Sequence, residues 1–268
     1  MTDPNILVQE KFDLRGRVAL VTGAGQGVGR GIALAFAAAG ADAVIINDLV
    51  QERAEAVAAE VDAAGSKGVP GVGNVASWEE MEGVVSAAGR PVSILVNNAG
   101  IPPMDAKAAT RGGGKKFVDS GPDDWRVWLD VNVMGALIAT RLCLPGMIED
   151  KWGRVVNIIS DASRSGERGM VVYGAAKAAV GGMGRSLAKE VGRAGITVNS
   201  VAIGATVTPT VEEGVSAEIL ESIKSLYPLG RLGMPDDISP AVLMLASEAG
   251  SWITAQTLAV NGGYSVTL

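Results

Sequence analysis

Short apolar runs alternate along the chain with longer stretches in which apolar positions recur every three to four residues. RVALVT (17–22) reads as a strand, and GVGRGIALAFAAAG after it has helical spacing and stops at Gly40. ADAVIIND (41–48) is a second strand, and QERAEAVAAEVDAAG a second helix closed by Gly65. GVPGVGNV (68–75) is a diluted third strand, because Pro70 and its glycines weaken the β signal. SWEEMEGVVSAAG predicts a helix capped by Ser77 with acids in its first turn. VSILVNNAG, GRVVNIIS, ITVNSVAIG and AQTLAVNGG supply the fourth to seventh strands. Near-continuous apolar strands alternating with helices predict an α/β fold: a doubly wound parallel sheet of about seven strands with helices on both faces.

No repeat or linker divides the 268 residues, so they read as one domain. Residues 1–15 form an N-terminal extension. Two stretches lack a pattern, 101–121 and 205–229, and such stretches in a compact domain are functional loops or lids. In the second, Ile219, Leu220, Ile223, Leu226 and Tyr227 have the spacing of a short amphipathic helix that could close over an apolar substrate or simply pack on the domain.

The net charge of −6 and the lack of a long basic stretch argue against nucleic acid. No run of eighteen uninterrupted apolar residues occurs, so no membrane span is expected. The first residues resemble neither a signal nor a transit peptide. With Cys143 as its one cysteine, the chain makes no internal disulfide and suits the cytoplasm. The most restrictive number is the histidine count, which is zero. Histidine-based triads and zinc sites are excluded, and acid/base work near neutrality falls to a carboxylate, a lysine or a tyrosine.

TGAGQGVG (22–29) lies between the first strand and the first helix. Gly23, Gly27 and Gly29 allow a tight turn, a close approach to a pyrophosphate and close helix packing, with the helix N-terminus facing the anion. A tight turn without a ligand is the plainer reading of the glycines alone. Asp48 ends the second strand, where a carboxylate accepts bonds from adenosine ribose hydroxyls and repels a 2′-phosphate. No Arg or Lys lies between Gly23 and Gly29, so NAD is expected over NADP. Asp48 could instead cap the helix starting near Gln51.

Tyr173 and Lys177, in YGAAK, lie one turn apart within a helical segment from about 169 to 194 and share a face. A free phenol titrates near 10, and bringing it close to neutrality takes roughly 3–4 kcal/mol. A neighbouring ammonium in a partly desolvated site could supply that. Ser160 closes the strand VVNIIS on the carboxyl edge of the sheet, where ligands sit, although a serine there also suits a plain turn.

With these motifs in order, the sequence resembles the short-chain dehydrogenase/reductase family from about Gly16 to Gly263. TGAGQGVG resembles its cofactor loop, NNAG (97–100) its signature after the fourth strand, and PLGRLGMPDDI and VNGG its closing runs. The resemblance implies a Rossmann-type fold and a catalytic set of Asn132, Ser160, Tyr173 and Lys177. It implies that Tyr173 exchanges the proton of an alcohol or ketone while hydride moves to or from the nicotinamide. Ser160 would orient the substrate oxygen, and Lys177 would hold the nicotinamide ribose and lower the pKa of Tyr173. Asn132 would kink its helix and place a water in a relay to Lys177. Cofactor contacts are implied at Gly23, Gln26, Gly27, Val28, Gly29, Asp48, Asn74, Val75, Asn98, Ala99, Gly100, Tyr173, Lys177, Thr206 and Thr208. No metal is implied, and a homo-oligomer, most often a tetramer, is. The small residues Ala175, Ala176, Ala178, Ala179, Gly181, Gly182 and Gly184 permit close helix contacts within or between chains. A non-catalytic nucleotide sensor on this fold is expected to have lost the tyrosine or the lysine, and both are present.

The chain departs from the family pattern in places. Asn74 stands where an aspartate often meets the adenine. Ile203 replaces a proline before Gly204, which predicts a less fixed loop through Thr206 and Thr208. Ala255 and Asn261 replace a glycine and an aspartate, with structural consequences expected. The 101–121 loop is long and carries Arg111, Lys115 and Lys116. Arg164 and Arg168 follow in SDASR and beyond, and SDASR resembles the run in alicyclic hydroxyacyl-CoA dehydrogenases of the family. These cations could bind the phosphates of a coenzyme A thioester or be solvated loop charges. An NAD-linked hydroxyacyl-CoA dehydrogenase is the leading expectation. An NADPH-linked 3-oxoacyl reductase and a dehydrogenase of free alicyclic, steroid or sugar alcohols are the alternatives.

Overall fold

The computed structural model of the chain describes residues 9–100, 116–208 and 217–266. Strands β1 (Val18–Thr22), β2 (Ala43–Asp48), β3 (Lys67–Val72), β4 (Ile94–Asn97), β5 (Gly153–Ser160), β6 (Ile196–Ile203) and β7 (Thr257–Val260) form one parallel sheet. Their order is β3-β2-β1-β4-β5-β6-β7. The direction of winding reverses between β1 and β4, which opens a crevice at their carboxyl ends.

The strands bury both faces because alternate residues feed two different cores. Ala19 and Val21 of β1, Val44 and Ile46 of β2, and Ile94 and Val96 of β4 join one core. Helices α1 (Gly27–Ala38) and α2 (Gln51–Ala63) cover this face. Val18, Leu20, Ile45 and Leu95 join the other core, under α3 (Trp78–Ser86). Pro70 is tolerated because β3 is an edge strand, and Gly68 is needed there: a Cβ would stand 2.0 Å from the Ala58 carbonyl oxygen of α2.

The apolar pattern had not marked out one long helical run. It comprises α4 (Pro122–Leu129), a π-turn (Asp130–Met134) and α5 (Gly135–Glu149). At 28 residues it is long and apolar enough by length and composition alone to cross a membrane, although charged residues interrupt its apolar run. Its face bearing Ile138, Ala139, Cys143 and Met147 is packed into the second core, the position of a core helix. The pattern blurs because the π-turn shifts the helical phase and Pro145 interrupts it.

Helix α6 (Val171–Val191) carries the tyrosine and lysine, α7 (Ala217–Lys224) falls in the expected lid, and α8 (Pro235–Ala246) closes the first core. Ala255 adopts a left-handed backbone, φ 61°, where glycine alone is free of strain. Most of the extended loop lies outside the described residues, including Arg111 and Lys115, as does the lid segment 209–216.

Candidate active site

The glycine loop leaves β1 at Thr22. Gly23 and Gly27 have φ values of 62° and 57°, and a Cβ on Gly29 would stand 2.4 Å from the Gly23 carbonyl oxygen. Side chains are therefore excluded by conformation at two positions and by contact at the third. Gln26 is the N-cap of α1 but makes no side-chain bond to the first turn, leaving the N–H groups around Val28 directed at the crevice. Thr208 lies on the other side of the loop, its methyl 3.1 Å from where a Gly27 Cβ would be.

The loop after β4 is tied to β1 side by side. Asn98 Nδ2 donates to the carbonyls of Thr22 and Gly23 at 2.9 and 3.0 Å, and the Asn98 and Ala99 N–H groups donate to Thr22 Oγ1. Asp48 takes a bond on each carboxylate oxygen, from the Gly25 N–H at 3.0 Å and the Val50 N–H at 3.0 Å. It does not cap α2, whose N-cap is Val50. It braces the glycine loop instead. One cation stands near: Arg53, which sequence reasoning missed, is exposed on α2 beside Gly25 and Asp48. Only its position five residues past Asp48 could have flagged it. Asn74 is exposed and its side-chain oxygen accepts the Ala76 N–H, while Val75 is buried.

The catalytic candidates converge at the carboxyl ends of β4 and β5. Ser160 ends β5, and Tyr173 and Lys177 descend from the first turns of α6. Trp128 packs edge-on against the Tyr173 ring at 5.6 Å. Asn132 lies within the π-turn, the expected kink in its helix. Its amide donates to the carbonyls of Gly100 and Trp128 at 2.9 and 3.0 Å, and its buried Oδ1 has no partner among the described residues. A Cβ on Gly100 would fall 2.6 Å from Lys177 Nζ and 2.9 Å from Asn132 Oδ1. Glycine at this position is what lets the ammonium and the amide share one corner. A cavity of about 10 Å3 adjoins them, walled by Thr22, Asn97, Asn132 and Lys177, and it has room for about one water.

Protonation states depart from the expectation that Lys177 pulls the Tyr173 pKa down. Burial pushes Tyr173 up; the neighbouring Ser160 hydroxyl pulls it the other way, and Glu167 raises it further. Burial lowers Lys177 to about 8. Its Nζ donates to the Ile158 carbonyl at 2.9 Å and stands 5.9 Å from the Tyr173 ring centre, so its direct partner is a neutral carbonyl rather than the phenol. Cys143 is no competing nucleophile, because burial pushes its thiol up to about 12.

Thr206 and Thr208 lie on a segment that is firmly held, contrary to the expectation from Ile203. The Ala205 N–H donates to Tyr227 Oη at 2.6 Å and the Val207 N–H to the Gly233 carbonyl at 2.8 Å. Of the cations expected to bind phosphate, Lys116 and Arg168 are exposed, but Arg164 is turned inward onto the buried Asp161 at 3.2 Å.

Residues 23–265 match the family model described as enoyl-(acyl carrier protein) reductase. The (2S)-[(R)-hydroxy(phenyl)methyl]succinyl-CoA dehydrogenase subunit BbsD of Thauera aromatica is 40% identical over 257 residues, 94% of this chain and 98% of that protein. A 3-oxoacyl-[acyl-carrier protein] reductase of Brucella melitensis, solved with bound NAD, superposes with a TM-score of 0.86. It is 32% identical, and the match covers 99% of this chain and 97% of that one. A putative NAD(P)-dependent gluconate 5-dehydrogenase of Beutenbergia cavernae, solved with NADP at low occupancy, gives a TM-score of 0.85. It is 35% identical, with 95% of this chain and 98% of that one covered.

Proposed function

The chain belongs to the short-chain dehydrogenase/reductase family, whose members bind a nicotinamide cofactor, and from that premise we propose that it is an NAD(H)-dependent enzyme interconverting a secondary alcohol and a ketone on an acyl-CoA thioester. The observation that carries this reading is the corner where Ser160, Tyr173, Lys177 and Asn132 meet beside the glycine crevice. The crevice suits the cofactor: a loop that excludes side chains, a helix N-terminus without a side-chain cap, and Asp48 at the ribose position. The cofactor, when bound there, supplies or accepts the hydride.

The chain's own residues manage the proton. Ser160, at the end of β5 beside Tyr173, holds the substrate oxygen next to the phenol. Tyr173 donates its proton to a forming alkoxide, a task suited to a phenol kept protonated by burial. In oxidation the same residue takes the proton, and Lys177 favours the phenolate whenever it is itself charged. Asn132 Oδ1 and the small polar cavity provide a one-water path from Lys177.

NAD is favoured by the carboxylate of Asp48. NADP has one specific observation in its support, the exposed Arg53 beside Asp48. An acyl-CoA substrate is supported by the BbsD relative and by the exposed Lys116 and Arg168. Self-association is supported by the outward Ala175, Ala178 and Ala179 of α6 and the exposed Leu137 and Ile148 of α5. The test is NADH oxidation by purified protein with acetoacetyl-CoA. A clear rate supports the reading; no rate despite NADH binding moves the substrate to a free alicyclic, steroid or sugar alcohol.

A further inference from the structure

Asp161 follows Ser160 directly and is 2% exposed. Its carbonyl serves its own turn, accepting the Arg164 and Ser165 N–H groups at 2.9 Å each. Its carboxylate reaches to the far end of the chain: Oδ2 accepts from Asn261 Nδ2 at 2.7 Å and Oδ1 from Ser265 Oγ at 2.9 Å. Arg164 completes the pocket at 3.2 Å, and Glu167, Tyr227 and Tyr264 are the other ionisable groups near it.

The segment 261–265 is held a second time from the opposite side. Tyr264 stacks on Tyr227 at 5.1 Å, and the Leu229 N–H donates to the Gly262 carbonyl at 3.3 Å. Tyr227, just past the lid helix α7, accepts the Ala205 N–H at the start of the segment bearing Thr206 and Thr208. A Cβ on Gly204 would stand 2.8 Å from the Tyr227 ring and 3.4 Å from Asn261 Cα, so the three segments meet without slack.

We infer that residues 261–265 act as a strap joining the turn of Ser160 to Tyr227 and the start of the segment bearing Thr206 and Thr208, with Asp161 and Asn261 as its pin. Asp161 is thus a positioning residue that keeps Ser160 and that segment in register. A buried carboxylate is costly without its donors, so the pin stays made and the two ends move together. An aspartate at 261 would set a second carboxylate against Asp161 at hydrogen-bond distance and break the pin. The inference rests on the proposed ketone reduction for its kinetic readout, and on backbone exchange for a readout that does not depend on it.

The experiment compares wild type, Asn261→Asp and the exchanged pair Asp161→Asn with Asn261→Asp. The first variant is expected to lose about tenfold or more in kcat/KM with acetoacetyl-CoA, through both a lower kcat and a higher KM. NADH affinity stays within about twofold, and the exchanged pair, which restores an amide facing a carboxylate, recovers most of the loss. An unchanged kcat/KM in Asn261→Asp, or no recovery in the exchanged pair, overturns the inference. Should Asn261→Asp fail to fold, Ser265→Ala removes a single bond and is expected to cost a few-fold in kcat/KM; no change there overturns it equally. Wild type inactive on acetoacetyl-CoA would count against the functional reading alone. The strap is then read from hydrogen exchange of two amides, Ala162, bonded to Ser160 Oγ, and Ala205, bonded to Tyr227 Oη. Breaking the pin is expected to speed both together; acceleration of one without the other overturns the strap.

Discussion

The cofactor crevice and the catalytic corner are neighbours built on opposite principles. In the crevice, Asn98, Thr22, Asp48 and the glycine-loop backbone satisfy one another before any ligand arrives. In the corner, Asn132 Oδ1 is buried without a partner among the described residues, Tyr173 is pushed up by burial, and Lys177 is brought down to about 8. Binding is therefore preorganised, while the corner keeps one acceptor, Asn132 Oδ1, that a water can complete. Substitutions in the corner should strike turnover harder than cofactor affinity, and those in the crevice should do the reverse.

After Tyr173 itself, the largest effect that sharpens this contrast is expected from Lys177→Met, a fall in kcat of about 10²–10³ measured by steady-state kinetics. The same variant tests the burial of the ammonium. The folded pKa of Lys177 lies below that of an ordinary lysine, so the charged form costs the folded state. That cost is fully present below about pH 8 and is relieved as pH rises from there toward the ordinary lysine value of 10.5. In urea unfolding, wild type should gain on Lys177→Met by a few kcal/mol at most across that window; parallel curves would refute the buried charge. Gly100→Ala comes next, because its methyl enters the space of Lys177 Nζ and Asn132 Oδ1. A loss of about tenfold to a hundredfold in kcat, with NADH affinity kept by fluorescence titration, is expected. Asp48→Ala should do the opposite, leaving kcat near wild type while shifting the NAD/NADP affinity ratio about tenfold toward NADP. Retained discrimination would hand the choice to another group. The smallest effect lies outside both regions: Ala255→Gly should raise stability by about 1 kcal/mol by relieving the left-handed backbone.

Much of the crevice was legible in the sequence because its logic is local. A strand, a glycine loop and a helix follow one another, and alternation along β1, β2 and β4 separates the two cores. The corner was legible only through spacing and resemblance, since Ser160, Tyr173 and Asn132 come from different elements. Pattern could not reveal that Lys177 bonds to the Ile158 carbonyl, that Asp161 takes Arg164 inward, or that Tyr227 fixes the segment after Ile203. Each is a long-range contact or a desolvation effect that exists only once the chain is folded. The 122–149 helix escaped for a local reason, its π-turn and internal proline.

The central claim, that Tyr173 carries the proton while the crevice binds the cofactor independently, is tested most directly by Tyr173→Phe. NADH affinity and turnover of the ketone would be measured on the same preparation. Turnover reduced by about 10³-fold or more with NADH affinity within twofold of wild type is the predicted result. Substantial remaining turnover, or loss of NADH binding along with it, would contradict the account.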